Sequence, residues 1–193
     1  MAYETYSTEA IVCGSKARST ADRSYLLFTK DAGMIFAEAK SVREEKSKQR
    51  YALQEFSIVR VSLFRGKTSW RIASVESQGN LFSDAASREA RGSVVRIIKL
   101  VRRYVHGEEI NERVFTLLKD GLPKLATTTV AHRVTFERLL SLNLLHALGY
   151  VSSEKALQAS FSDNIAQFDR ELSGDEEIAL DRALKTAAEV SHL

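Results

Sequence analysis

The hydrophobic period of this chain changes once, near Ser83, and that change limits the fold more than any other feature. Before it, apolar and polar residues alternate, the period of a strand with one face turned inward. After it, apolar residues return every three to four positions, the period of a helix with one buried stripe. Strands first and helices second predict an α+β chain with the two kinds of element segregated. The expected division is a β domain over residues 1–82 and an all-helical domain over residues 83–193.

Five strands are predicted in the first half. Ser7 to Gly14 sets Thr8, Ala10 and Val12 on one face and Glu9, Ile11 and Cys13 on the other. Arg23 to Thr29 leads through Lys30-Asp31-Ala32-Gly33, a hairpin turn, into Met34 to Ala39. A charged stretch from Lys40 to Arg50 follows, then a short helical piece at Ala52 to Glu55. Ser57 to Phe64 carries Val59, Val61 and Leu63 on one face. The turn Arg65-Gly66-Lys67 leads to the last strand, Trp70 to Gln78. Five short strands with one longer connection after the third fit a small Greek-key barrel such as the OB fold. Periodicity alone does not separate it from an SH3-like barrel.

In the second half, Val94, Ile97, Ile98, Val101, Tyr104 and Val105 form one helical face, which Gly107 ends. A second helix is expected over Glu108 to Leu122, stopped near Gly121 and Pro123. A third, Ala131 to Leu148, has leucines around most of its circumference and should be the buried centre of the helical half. Gly149-Tyr150 suits its C-terminal cap. Val151 to Leu172 gives mixed signals. Ser173-Gly174-Asp175-Glu176 is a capping box opening a last helix towards Val190.

The chemistry-bearing motifs are mostly absent. No GxxxxGK[ST] loop, GxGxxG turn, HExxH pair or paired-cysteine spacing occurs. His106, His132, His146 and His192 lack metal-ligand spacing and read as structural. Asp175-Glu176-Glu177 is favourable charge at a helix N-terminus, not a catalytic dyad. Cys13, the only cysteine, sits in an apolar run and reads as a small core residue. We therefore expect no catalytic residue, metal, cofactor or small-molecule substrate. The start Met1-Ala2-Tyr3-Glu4 shows no secretory signal, and no apolar run reaches membrane-spanning length, so a cytoplasmic protein without membrane contact is expected.

Charge supplies the positive indication. The net charge is +3, but residues 1–82 carry +4, residues 83–150 carry +4 and residues 151–193 carry −5. Lys40, Arg43, Lys46, Lys48 and Arg50 fall within eleven residues of the long connection. On a barrel loop such a set can track a phosphate backbone by releasing counterions, although a charged solvated loop has the same composition. Phe36, Tyr25 and Trp70 are candidate stacking platforms, with Arg65, Lys67 and Arg71 nearby in sequence. Aromatics in a small barrel also serve as core, and Trp70 shares its face with Ile72. Arg96, Lys99, Arg102 and Arg103 lie off the apolar stripe of the first helix. They either extend a DNA surface across the junction, with Arg96, Lys99 and Arg103 as its candidates, or form an ordinary solvated side.

These residues resemble a family. Ser7-Thr8-Glu9-Ala10-Ile11-Val12 is similar to the opening strand of RecO proteins, and Ala21 to Thr29 followed by Gly33 is similar to their second strand and hairpin. Ala39-Lys40, the basic loop, Ser47, Leu53, Gln54, Phe56 and Phe64-Arg65-Gly66 continue in the same order. Arg133, Phe136-Glu137, Leu139-Leu140 and Leu148-Gly149-Tyr150 resemble the helix before the family's metal-binding segment. The resemblance implies an OB barrel followed by helices. It also implies a bacterial, nucleoid-associated recombination mediator that binds single- and double-stranded DNA, anneals complementary strands and assists recombinase loading. RecR and the single-strand-binding protein are the implied partners, and the basic loop is the implied DNA contact. An adaptor with weak intrinsic DNA binding is the alternative. Three departures stand out. Val151 to Leu172 lacks the four zinc cysteines that many members carry there. Ser41 stands where the family often has glycine. The chain is shorter than a typical member, which implies a reduced or altered partner surface.

Overall fold

β1 (Thr5–Ala17) is buried on both faces in its middle, and the architecture follows from that. In the computed structural model, residues 5–66, 69–162 and 164–190 are described. Ala10 and Val12 enter the barrel interior, whereas Ile11 and Cys13 enter the helical core on the opposite side. None of the four is more than 1% exposed. The two faces assigned to this strand by alternation therefore serve two different cores.

β1, β2 (Arg23–Thr29), β3 (Gly33–Ala39), the one-turn helix α1 (Gln49–Ala52), β4 (Ser57–Arg65) and β5 (Trp70–Asn80) make up the barrel. The hydrogen-bonded order is β1-β2-β3-β5-β4, closed by β1 against β4. β3 runs parallel to β5, with Ala37 opposite Trp70; the other pairings are antiparallel. This is the closed Greek-key path of an OB barrel. Val12, Leu27, Ile35, Val59, Val61 and Leu63 fill the interior. Each such side chain contributes roughly 1.5–3 kcal/mol on burial.

The β2–β3 hairpin turns at Gly33, whose φ of 64° lies in the left-handed region. A Cβ there would also strike the Glu109 carbonyl, so glycine is required twice over. The Thr29 hydroxyl donates to the Gly33 carbonyl and accepts from the Ala32 N–H. The short helix forms three residues earlier than its expected position at Ala52 to Glu55. Phe56 adopts a left-handed conformation (φ 70°) and donates its N–H to the Val12 carbonyl at 2.8 Å, so the chain must turn before Ser57 rather than continue as helix.

α2 (Arg88–Tyr104) is capped by Ser87, whose side chain accepts from the Ala90 N–H, and it buries Val94, Ile97, Ile98 and Val101. α3 (Glu112–Thr127) begins at the Asn111 cap and passes through Pro123. The expected stop at Gly121 and Pro123 does not occur. Leu122, Leu125 and Ala126 all pack into the core, and their burial outweighs the hydrogen bond that a proline cannot donate. Gly121 instead marks where α3 meets α4 (Val130–Ala147): a Cβ there would lie 2.7 Å from Leu140 Cδ1. α4 is the buried centre, with Phe136, Leu139, Leu140, Leu142, Leu144 and Leu145 all in the core. Its last turn closes with the Tyr150 N–H donating to the Leu145 carbonyl at 2.9 Å.

The stretch with mixed signals forms two 3₁₀ turns, Lys155–Ser160 and Ile165–Gln167. Buried Asn143 of α4 holds the first, donating to the Ser160 carbonyl and accepting from the Ser162 N–H, both at 2.9 Å. Lys124 of α3 holds the second, its ammonium donating to the Ala166 and Phe168 carbonyls. Leu157 and Ile165 seal the contact. α5 (Gly174–Val190) starts at the expected capping box and buries Ala179, Leu180 and Ala187.

Candidate nucleic-acid interface

The β3–β4 connection is tied down at its start and lies open afterwards. Val42 plugs into the barrel core at 1% exposure. The Ser41 N–H donates to Asp22 Oδ1 at 2.9 Å, and the Arg43 N–H donates to the Ala21 carbonyl at 3.1 Å. Arg43 also reaches the Ser19 carbonyl. These bonds latch the basic connection onto the β1–β2 loop, which brings Lys16, Arg18 and Arg23 to the same end of the barrel. Lys40, Lys46 and Lys48 are exposed and hold no ion pair among the described residues. Arg50 lies 4.8 Å from the Tyr51 ring centroid and donates to its hydroxyl, while Tyr51 itself is 63% exposed. A shallow cleft of ≈ 370 Å³ runs between Arg23, Arg43, Arg50 and Tyr51. Unpaired cations and an exposed aromatic ring fit a polyanion that also carries planar bases.

A second, larger cleft of ≈ 550 Å³ lies where the barrel meets the connection between α2 and α3. Phe36 projects from the outer face of β3 at 49% exposure, with Lys16 Nζ 4.1 Å from its ring centroid. Two residues on, Glu38 accepts from Ser69 Oγ and pairs with Arg18, joining the β1–β2 and β4–β5 loops across β3. Trp70 is half-buried, edge-on to Tyr6, with the Arg65 guanidinium 4.9 Å from its ring centroid. Glu108 closes this corner, accepting from Arg65 Nη1 at 2.7 Å and from Trp70 Nε1 at 3.1 Å. Arg102 and His106 complete the lining, and the Arg102 guanidinium lies over Gly14.

Of the expected site residues, the structure gathers Lys40, Arg43, Lys46, Lys48 and Arg50 at one end and sets Arg65 in the second cleft. Lys67 lies outside the described residues. Arg71 is partly buried beside Gly66, and its Nε has no partner among the described residues. The stripe on α2 divides. Arg96 is held bidentate by Glu137 of α4, at 2.5 and 2.7 Å. Lys99 and Arg103 border a cleft with Leu184 and Ala188 of α5. Arg102, grouped with them in sequence, faces the barrel. Tyr25 is 2% exposed inside the barrel and serves as core rather than as a platform. Cys13 is buried, and desolvation pushes its thiol up to about 12, so it is no nucleophile. Sequence reasoning missed Lys16, Arg18 and Arg23, which sit at or beside strand ends, and Tyr51 in α1; all four gain meaning only from the latch. Nothing in the sequence marked Glu108. Among the described residues no cluster of three or more His, Cys, Asp or Glu could hold a metal, and no helix is long and apolar enough to cross a membrane.

Residues 1–80 match the family described as Recombination protein O N terminal. The match spans the whole barrel and ends with β5. The barrel, residues 1–80, carries the N-terminal domain of the RecO family. Among curated relatives, the DNA repair protein RecO of Dehalococcoides mccartyi is 30% identical over 145 residues, covering 75% of this chain and 56% of that protein. The RecO of Thermoanaerobacter sp. is 25% identical over 171 residues, covering 86% and 67%. That of Rubrobacter xylanophilus is 30% identical over 120 residues, covering 62% and 48%. The chain thus aligns with between about half and two thirds of each of these relatives, and the alignment with the Thermoanaerobacter protein carries the family likeness into the helices.

Proposed function

We propose that this protein is a non-catalytic, DNA-binding protein of recombinational repair. On this reading it binds and anneals single strands and assists recombinase loading, with RecR and the single-strand-binding protein as its protein partners. Lys40, Arg43, Lys46, Lys48 and Arg50 are the principal DNA contacts, joined by Lys16, Arg18 and Arg23. The observation that carries this is the latch between the two loops: it gathers the exposed cations at one end of a barrel whose sequence matches the family. Each lysine or arginine that neutralises a phosphate releases counterions, and exposed bases remain free to pair with a second strand. Arg65 and Arg71 flank this set, and Lys67, close to them in sequence, is a further candidate contact. Arg96, Lys99 and Arg103 contribute less on this reading, because α2 turns them towards α4 and α5.

Single-stranded and duplex oligonucleotides titrated over a range of salt test it. Both should bind, with affinity falling linearly on a log–log plot against salt. Replacing the five loop cations together with Ala should flatten that slope by roughly 0.7–0.9 for each phosphate no longer neutralised, and remove most of the binding. Circular dichroism should stay unchanged, because none of the five lies in either core. Undiminished affinity in that variant sinks the assignment. Absence of DNA binding at low salt, together with capture of RecR, would favour the adaptor.

A further inference from the structure

The second cleft has the parts of a nucleotide site, but its cation is already occupied. Phe36 offers an exposed ring on the outer face of β3. Arg65 and Trp70 Nε1 converge on one point at the cleft's rim, and both donate to the Glu108 carboxylate. Glu108 comes from the connection between α2 and α3, outside the barrel. That connection is itself seated on the hairpin, with the Met34 N–H donating to the Gly107 carbonyl at 2.8 Å. A carboxylate and a phosphate present the same sign of charge and similar acceptor oxygens to a guanidinium. The Arg65–Glu108 pair is half exposed, at 65% and 47% of the two side chains. Exposed pairs of this kind hold weakly and exchange readily.

Resting on the DNA-binding reading above, we propose that Arg65 and Trp70 form a phosphate site held closed by Glu108. Single-stranded DNA opens it by exchanging a backbone phosphate for that carboxylate while an unpaired base stacks on Phe36. Arg102 lines the cleft and Lys16 sits beside the Phe36 ring, and both supply further cations to the same strand. A duplex keeps its bases stacked on each other and gains nothing from Phe36, so the site favours single strands. The basic end of the barrel, which tracks backbone charge, serves both forms. The element that closes this corner belongs to the helical half, which makes access to it depend on how the α2–α3 connection sits.

Trp70 is the only tryptophan in the chain, so its emission reports on this cleft without labelling. Oligothymidine should change that emission, and a blunt duplex bound at the same occupancy should not. Phe36→Ala should weaken single-strand binding about 5- to 100-fold, the range for removing one stacking platform, and leave duplex binding unchanged. Glu108→Gln keeps an oxygen for Trp70 but frees Arg65. It should strengthen single-strand binding about 2- to 5-fold, and Glu109→Gln, the same change of charge one residue on, should do less. Equal gains from the two glutamines would reduce the effect to net charge and overturn the gate. Equal losses on both DNA forms in Phe36→Ala, or none, would overturn the stacking site while leaving the basic-end assignment intact. Absence of any DNA binding by the unaltered protein would overturn both.

Discussion

Among the described residues of the barrel, two non-glycine residues hold a left-handed backbone, and both sit where the chain changes direction. Phe56 is secured by its bond to Val12, by the Leu81 N–H donating to its carbonyl and by its ring stacked on Phe82. Ser41, with φ of 50°, opens the basic connection. A side chain in this conformation costs roughly 1–2 kcal/mol, and glycine returns about 0.4–1 kcal/mol of that through its freer unfolded chain. Ser41→Gly should therefore stabilise the protein by about 0.5–1 kcal/mol, seen as a higher urea midpoint with the same slope. Asp22 accepts from the backbone N–H of Ser41 rather than from its side chain, so the substitution leaves the latch in place. At this scale the sequence was a partial guide. The turn at Gly33 was legible from residue type. The need for a left-handed residue at Ser41 was not, because serine carries no signal for it.

Among the elements, α5 shows how one local ion pair sets pH behaviour. Arg170 donates to both oxygens of Glu176 at 2.9 and 2.5 Å, and the Ser173 N–H donates to the same carboxylate at 2.9 Å. The Arg170 guanidinium first, and the Ser173 backbone N–H second, pull the carboxyl down from 4.5 to about 2. A carboxyl lowered on folding stabilises the folded state above its unfolded value, and that contribution fades as pH falls through the folded value. The stability difference between the protein and Glu176→Gln should hold constant above about pH 4.5 and shrink to nothing near pH 2. Chemical denaturation of both proteins across that window measures it. A difference independent of pH would assign the effect to packing. The capping box announced this helix in sequence, whereas Arg170 lies before it in the mixed stretch and only the fold brings the two together. The opposite failure occurred at α3, where a local rule about proline yielded to burial contributed from α4.

The whole molecule is bound by β1 and the hairpin more than by any linker. Ile11, Cys13, Phe28 and Met34 of the strands share one core with α2, α3 and α4. Phe28 and Phe115 pack with ring centroids 5.8 Å apart, and Lys119 of α3 grips Glu9 through both carboxylate oxygens at 2.8 Å. We expect residues 1–82 produced alone to expose this apolar face and to aggregate or bind a hydrophobic dye. The full chain should unfold in one transition followed alike by Trp70 emission and by helical circular dichroism. A monomeric, cooperatively folded 1–82 fragment would contradict this. The same packing sets Glu108 against Arg65, so the coupling inferred for the second cleft depends on the two halves sharing a core.

The sequence by itself determined the element types, the strand faces, the buried centre at α4 and the cation-rich connection, because each is written in a local period or a local composition. Even the placing of Ile11 and Cys13 opposite Ala10 and Val12 followed from alternation. Only the tertiary structure decided what those outer residues pack against and which barrel the five strands close. It also separated Arg102 from Arg96, Lys99 and Arg103, and it placed a carboxylate from the helical half on the barrel's arginine. The physical reason is range. Period and turn chemistry act over a few residues, whereas Glu108 and Arg65 are 43 positions apart and meet only after two cores have formed around one strand.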